Sequence, residues 1–142
     1  MKIKKHASAA WKGGLKDGKG SISTESGALA AYPYGFAARF EGMRGTNPEE
    51  LLGAAHAGCF TMALSLILGE AGFTADQMDT AAEVTLEKVD DGFAITAVVL
   101  TLKAKIPGID AATFQTLAGK AKAGCPLSKV IKADITLNAS LV

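Results

Sequence analysis

The amino-acid sequence predicts one α+β domain that spans residues 1–142. Strand-like and helix-like segments come in blocks along the chain, and such blocks favour an α+β fold over the strict alternation of a doubly wound sheet. Apolar residues make up 49% of the chain and charged residues 20%, which is the composition of an ordinary globular domain. At this length a single domain buries roughly two-thirds of the surface that its unfolded chain exposes.

Charge and hydropathy narrow the functional class. The formal net charge is +1, so no basic field is present that would attract nucleic acid. Residues 1–14 contain lysines but no apolar core of signal-peptide length. The longest apolar stretch, residues 51–68, is interrupted by polar residues such as His56 and Ser65, which indicates a buried core helix rather than a membrane span. We therefore expect a cytoplasmic protein without a membrane partner, in a compartment that keeps thiols reduced.

The first part of the chain predicts strands. Residues 5–11 and 19–26 alternate in the manner of strands, and residues 35–41 are expected to form a third. Arg39 would then lie on a strand, and its simplest interpretation is a solvated side chain.

A long helix follows, and both of its ends are marked. Asn47 fits the N-cap and Pro48 the first helical position, where the missing N–H of proline does no harm. Glu49 and Glu50 suit the positive first turn. The helix is expected to run to about residue 71 and to stop at Gly72, which tolerates a left-handed backbone.

The remaining chain predicts a hairpin, two helices and a last strand. Residues 82–89 and 93–106 are β-patterned and are joined by a turn at residues 90–92. Asp110 is expected to cap a helix that ends near Gly124. A short helix then starts with Cys125 at the N-cap and Pro126 at its first position, and residues 134–141 close the chain as a strand.

The two cysteines, Cys59 and Cys125, are the candidate reactive groups. Their 66-residue separation excludes a Cys-x-x-Cys motif and a two-plus-two metal site. Helical spacing alone favours Cys59 as a small buried hydrophobe. Cys125 at a helix start would have its thiolate stabilised by free N–H groups. His56 precedes Cys59 by one helical turn, so a Cys–His hydrolase or transferase is a local alternative. Two histidines in the chain argue against a metal or haem site, and no cofactor is expected.

Four segments together carry a family resemblance. They are residues 23–27 (STESG), 34–42 (YGFAARFEG), 45–60 (GTNPEELLGAAHAGCF) and 120–126 (KAKAGCP). With both cysteines in these contexts, the chain resembles the osmotically induced branch of the OsmC/organic hydroperoxide resistance family. The resemblance implies antiparallel sheets packed around two central long helices, in an intertwined homodimer.

The same resemblance implies a thiol peroxidase. Cys59 matches the cysteine that attacks the peroxide and becomes a sulfenic acid, and Cys125 matches the cysteine that condenses with it to a disulfide. An external dithiol, of lipoyl or thioredoxin type, would reduce that disulfide. Arg39 matches the arginine that lowers the pKa of the attacking thiol, and Glu49 matches the glutamate that orients the arginine. The implied substrates are organic hydroperoxides.

Helix geometry adds one inference to the resemblance. Glu49 and Cys59 lie ten residues apart on one helix, about 15 Å along its axis at about 1.5 Å per residue. Either Glu49 acts only through Arg39, or a second subunit supplies a partner, which agrees with a homodimer. A non-catalytic dimer that binds hydrophobic ligands stays open as an alternative, as does the Cys–His enzyme with Cys59 and His56.

Overall fold

The computed structural model describes all residues from 1 to 142, and the chain divides into two compact units, residues 1–48 and 49–142. The N-terminal unit contains β1 (Ala7–Lys12), β2 (Lys19–Thr24), β3 (Tyr32–Tyr34) and α1 (Phe36–Phe40). The C-terminal unit contains α2 (Pro48–Glu70), β4 (Gln77–Val89), β5 (Gly92–Lys105), α3 (Ala111–Gly124), α4 (Pro126–Val130) and β6 (Asp134–Leu141). The predicted α+β class is confirmed, whereas the single domain over residues 1–142 stays a prediction.

The N-terminal unit is an antiparallel sheet in the order β1-β2-β3. Trp11 and Tyr34 pack edge to face across it, with ring centroids 5.5 Å apart. A Cβ atom at Gly20 would lie 2.5 Å from the Tyr34 ring, so glycine is required between the two aromatic side chains. β1 is exposed along its whole length, and no hydrophobic side chain of this unit is fully buried. The sheet thus has no core of its own.

The predicted third strand at residues 35–41 is wrong. The strand lies earlier, at Tyr32–Tyr34, and Arg39 is on α1. The N–H of Arg39 donates to the Gly35 carbonyl at 3.0 Å, and the N–H of Glu41 donates to the Ala37 carbonyl at 2.9 Å. A short run of apolar residues does not distinguish a strand from one helical turn, and here the local i to i−4 bonds form.

The long helix α2 follows the prediction at both ends. It starts at Pro48 with Glu49 and Glu50 in its first turn, and Gly72 beyond its end has a φ of 86°. The cap by Asn47 stays a prediction. The burial of α2 departs from the expectation of a core helix, because α2 is buried along only one stripe of its surface. The buried residues are Glu49, Gly53, His56, Phe60, Leu64 and Leu68. By length and composition α2 is also able to span a membrane, with 28% of its most apolar window buried.

The C-terminal sheet has the order β4-β5-β6 and is mixed. β4 and β5 form the predicted hairpin, with Val89 paired to Gly92. β6 runs parallel to β5, with Val98 opposite Ile135, whereas the family resemblance implies antiparallel sheets. Parallel neighbours require a long crossover, and α3 and α4 provide it between β5 and β6.

One hydrophobic core occupies the C-terminal unit. β5 contributes alternate residues, because successive side chains of a strand point to opposite faces. The two long helices α2 and α3 supply the other large buried side chains. The main members are Val98, Leu100 and Leu102 of β5, Phe60, Leu64 and Leu68 of α2, and Phe114, Leu117 and Ala121 of α3. Asp110 caps α3, since its carboxylate accepts from the N–H of Thr113 at 2.8 Å.

Candidate active site

Cys125 lies at the junction of α3 and α4, where it is both the C-cap of α3 and the N-cap of α4. Its N–H donates to the Ala121 carbonyl at 3.0 Å, and its Sγ atom accepts from the N–H of Ser128 at 3.3 Å. Pro126 occupies the start of α4, and the Cys125 side chain is fully buried. The predicted N-cap cysteine followed by proline is therefore confirmed.

Cys59 lies in α2 and is half-buried against the core. Its thiol interacts with the side chain of Cys125 and with the backbone N–H of Leu127. The structure thus brings the two cysteines together as free thiols, although they are 66 residues apart in sequence. The first turn of α4 supplies one N–H group to each sulfur, from Leu127 to Cys59 and from Ser128 to Cys125.

The electrostatics of this pair do not favour a thiolate at Cys59. Burial raises the pKa of the Cys59 thiol, the Leu127 N–H lowers it, and the neighbouring Cys125 raises it further, with a raised pKa as the result. A thiolate at this position needs a positive charge or further donors nearby. No such group lies among the contacts of Cys59 within the C-terminal unit.

Ser128 connects Cys125 to a histidine. Its Oγ atom lies 3.2 Å from Cys125 Sγ and 2.8 Å from His56 Nε2. His56 is fully buried, burial lowers its pKa, and its Nδ1 atom has no hydrogen-bond partner. The Nε2 atom of His56 is therefore hydrogen-bonded to Ser128 and not to Cys59. The geometry gives no support to the alternative of a Cys–His enzyme that uses Cys59 and His56.

Ser128 and Leu127 were missed in the sequence. The signal was present, because Ser128 is the third residue of a helix that starts with proline after a capping cysteine. Side chains and N–H groups at that position face the cap residue.

Glu49 and Arg39, the other predicted site residues, lie away from the thiol pair along the chain. Glu49 is buried in the first turn of α2, and the helix continues without a break to Cys59, about 15 Å further along its axis. The structure does not bring these two side chains together. Arg39 lies exposed in the N-terminal unit, with its guanidinium 5.4 Å from the centre of the Phe40 ring.

Two clefts accompany these residues. In the N-terminal unit, a cleft of about 190 Å³ has Arg39 beside Trp11, Tyr34, Phe36 and Phe40. In the C-terminal unit, a cleft of about 710 Å³ lies between Leu52, the start of β5 and residues 130–134, and neither cysteine lines it. No group of three or more His, Cys, Asp or Glu side chains is placed to hold a metal ion.

Comparison with known proteins identifies the family of the chain. Residues 40–140 match the family model described as OsmC-like protein. The chain is 61% identical to peroxiredoxin OsmC of Escherichia coli over 141 residues, covering 99% of each. It is 32% identical over 103 residues to the organic hydroperoxide resistance protein of Xanthomonas axonopodis, covering 68% of this chain and 67% of that protein. The structure of an organic hydroperoxide resistance protein OsmC from Legionella pneumophila superposes with a TM-score of 0.71 at 25% identity, covering 99% and 98% of the two chains.

The fold, the paired thiols and these relatives define the class as a thiol-dependent peroxidase. Within that class, the chain belongs to the OsmC family.

Proposed function

We propose that this protein reduces organic hydroperoxides through Cys59 and Cys125. The Cys59 thiolate attacks the outer peroxide oxygen, the O–O bond breaks, and Cys59 becomes a sulfenic acid. The alkoxide that leaves takes a proton from the solvent and becomes the alcohol. The Cys125 thiol then displaces that oxygen as water and forms the Cys59–Cys125 disulfide. Two electrons from an external dithiol reduce it by thiol exchange. The observation that supports this cycle is the contact between the two free thiols.

Arg39 is proposed to supply the positive charge that the surroundings of Cys59 lack. A raised thiol pKa leaves little thiolate near neutral pH, and a guanidinium stabilises the thiolate and the peroxide oxygens. Glu49 is proposed to orient that arginine, because it is the only buried carboxylate in the chain.

The proposed substrates carry an apolar group. Arg39 lies in a cleft with four aromatic side chains, so a hydroperoxide held there would remove its alkyl or aryl part from water. Hydrogen peroxide has no apolar part, so it gains no binding free energy in this way. Several relatives are organic hydroperoxide resistance proteins by name, which supports the same preference.

The proposed reductant is a dithiol protein of lipoyl or thioredoxin type in the cytoplasm. Cys59 is the more accessible of the two sulfurs, so we expect the reductant thiolate to attack there. Exposed Lys120, Lys129 and Lys132 lie close in sequence to Cys125 and would favour an acidic partner.

A homodimer is proposed from two exposed surfaces. Met62 and Leu66 of α2 are 76% and 64% exposed on a helix whose buried stripe lies elsewhere. The N-terminal sheet has no buried hydrophobic side chain, and a unit of its size rarely folds without further burial. A second copy of the chain would cover such surfaces.

The dimer is tested by light scattering after size-exclusion chromatography at micromolar concentration. We expect the wild type to have the mass of two chains and Met62→Glu to dissociate, because a buried unpaired carboxylate is unfavourable. Val89→Glu, at the tip of the β4–β5 hairpin, serves as the control and stays dimeric. A monomeric wild type would contradict the proposal.

The activity is tested by consumption of cumene hydroperoxide with dithiothreitol as reductant. We expect Cys59→Ser to lose turnover by on the order of 10⁴-fold or more, as in other deletions of a nucleophile. Without dithiothreitol, Cys125→Ser should still react once with the peroxide and stop as a sulfenic acid. Hydrogen peroxide should be the poorer substrate of the wild type.

Two other functions predict different results in this assay. A dimer that only binds hydrophobic ligands would give the same background rate in all variants. A Cys–His enzyme would depend on His56 but not on Cys125, and the bond from His56 to Ser128 argues against it.

A further inference from the structure

The buried histidine in α2 has no part in the cycle described so far. His56 has no exposed surface, yet only one of its two ring nitrogens has a hydrogen-bond partner. Buried polar side chains are normally satisfied, so a histidine retained for structure alone would be expected to use both nitrogens. The bonded nitrogen leads through one hydroxyl to the sulfur of Cys125.

We propose that Ser128 and His56 form a proton relay for Cys125, the thiol that closes and reopens the disulfide; the proposal rests on the peroxidase cycle above. Ser128 touches the reacting sulfur, with Oγ 3.2 Å from Sγ and its N–H 3.3 Å from the same atom. His56 is a positioning residue that acts through Ser128, at 2.8 Å from the hydroxyl oxygen.

The hydroxyl of Ser128 allows two arrangements of the same hydrogen bonds. In the first, the Cys125 S–H donates to Ser128 Oγ, and the hydroxyl donates to neutral His56 Nε2. In the second, the protonated His56 Nε2–H donates to Ser128 Oγ, and the hydroxyl donates to the Cys125 thiolate. The arrangements differ by the transfer of one proton along each bond, so a proton leaves the sulfur and reaches the imidazole without side-chain movement.

Disulfide formation uses the relay in one direction. The Cys125 proton passes to Ser128, and the serine proton passes to His56. A lone pair of the Cys125 thiolate sulfur then attacks the sulfur of the Cys59 sulfenic acid, the S–S bond forms, and the S–O bond breaks. The leaving hydroxide takes a proton from the solvent and departs as water, and the protonated His56 releases one proton to the solvent. The sum is one sulfenic acid and one thiol giving one disulfide and one water.

Reduction uses the relay in reverse. When the dithiol attacks Cys59, the S–S bond breaks and Cys125 leaves as a thiolate inside a fully buried position. A buried thiolate leaves slowly unless it is stabilised, because the rate of exchange depends on the leaving sulfur. The Ser128 N–H donates to this sulfur, and the Ser128 hydroxyl, 3.2 Å away, donates to it in the second arrangement. His56 in its protonated form can then return the proton.

The surroundings of His56 leave few other groups able to exchange this proton. On α2 itself the titratable neighbours are Cys59 and Glu49, and α4 contributes Ser128. Where β4 approaches the helix, at Gly53, it presents Val84 and Ala82. The buried residues of β5 and α3 are apolar. Glu49 is the single buried acidic side chain, about two turns before His56 on the same helix.

The test is a rapid-mixing experiment with one equivalent of cumene hydroperoxide and intact mass at each time point. It separates the sulfenic acid, which is one oxygen heavier, from the disulfide, which is two hydrogens lighter. We expect Ser128→Ala and His56→Gln to form the sulfenic acid at the wild-type rate and to form the disulfide more slowly, by on the order of 10²-fold. Ser128→Thr, which keeps the hydroxyl, should restore the second phase.

Matched controls are available for both residues. His6→Gln changes the only other histidine, which is exposed, and Ser8→Ala changes an exposed serine of β1. Both should leave both phases unchanged. If Ser128→Ala slowed sulfenic-acid formation and disulfide formation equally, Ser128 would have a structural role and the relay would be overturned. Disulfide formation at the wild-type rate in Ser128→Ala would also overturn it.

A second readout does not require the peroxidase reaction. In Cys59→Ala, Cys125 is the single thiol, and its thiolate is followed by ultraviolet absorbance during a pH titration. Adding Ser128→Ala should raise the pH midpoint of thiolate formation, because a donor to the thiolate is removed. An unchanged midpoint would overturn the relay, whether or not the wild type reacts with peroxide. A wild type that does not react with peroxide would contradict only the proposed function.

Discussion

The two units of this chain differ in what stabilises them. The C-terminal unit, residues 49–142, encloses a core of strand and helix side chains, in which Cys125 is buried and against which Cys59 packs. The N-terminal unit, residues 1–48, has a three-stranded sheet without one fully buried hydrophobic side chain, and it contains Arg39. The proposed thiol chemistry thus lies in the unit that has a hydrophobic core, and the proposed activating charge lies in the unit that has none.

This difference suggests a division of labour. The contact between Cys59 and Cys125 depends on α2, α4 and the core between them, so disulfide formation should survive changes in the N-terminal unit. The attack on the peroxide needs a thiolate, and the raised pKa of Cys59 makes that step dependent on a charge from elsewhere. Mutations in the two units should therefore affect different steps.

The largest expected effect on stability concerns the core. Phe114→Ala should lower the free energy of unfolding by about 3–5 kcal/mol, because it removes a buried ring and leaves a cavity. Tyr32→Ala, on β3 and 39% exposed, should cost less than about 1 kcal/mol. Urea unfolding of both variants measures the contrast. Equal losses would mean that the N-terminal sheet is buried as deeply in the assembled protein as the C-terminal core.

The next effect concerns Arg39. Arg39→Ala should lower kcat/KM for cumene hydroperoxide by roughly 10²–10³-fold, the usual effect of removing one group that stabilises charge in the transition state. Arg44→Ala is the matched control, since Arg44 is the only other arginine and is exposed in the same unit. Similar losses in both variants would indicate a general effect of positive charge in place of a specific role.

The smallest expected effect concerns the pH dependence of stability. Burial lowers the pKa of His56 below its ordinary 6.5, so as the pH falls the unfolded chain binds the proton first. The stabilisation from neutral His56 is complete above about pH 6.5 and is lost as the pH falls towards the folded pKa, with a slope of at most about 1.4 kcal/mol per pH unit.

Urea unfolding at several pH values below this point measures that slope. His56→Gln should reduce the slope, and His6→Gln should not. A slope that is unchanged in His56→Gln would show that other groups dominate the acid sensitivity.

Secondary structure was predicted most accurately from the sequence where single residues gave strong local signals. Pro48 and Gly72 gave the ends of α2, and the hairpin before Gly92 and the cap at Asp110 were also confirmed. These features depend on backbone preferences of single residues, which are readable without tertiary contacts.

Features that depend on distant parts of the chain were not predicted. The direction of β6 is set by the crossover through α3 and α4, and no local pattern in residues 134–141 indicates it. The residues around Arg39 form one helical turn in place of a strand, because a run of five residues fits both. The bond between His56 and Ser128 joins positions 72 residues apart, so only the fold reveals it.

The most direct test of the account is the intact mass of the wild-type protein after one equivalent of cumene hydroperoxide, followed by peptide mapping without reduction. The account predicts a chain lighter by two hydrogens, with the peptides of Cys59 and Cys125 joined within one chain. An unchanged mass, a retained oxygen on Cys59 with Cys125 still free, or a disulfide between two chains would contradict it.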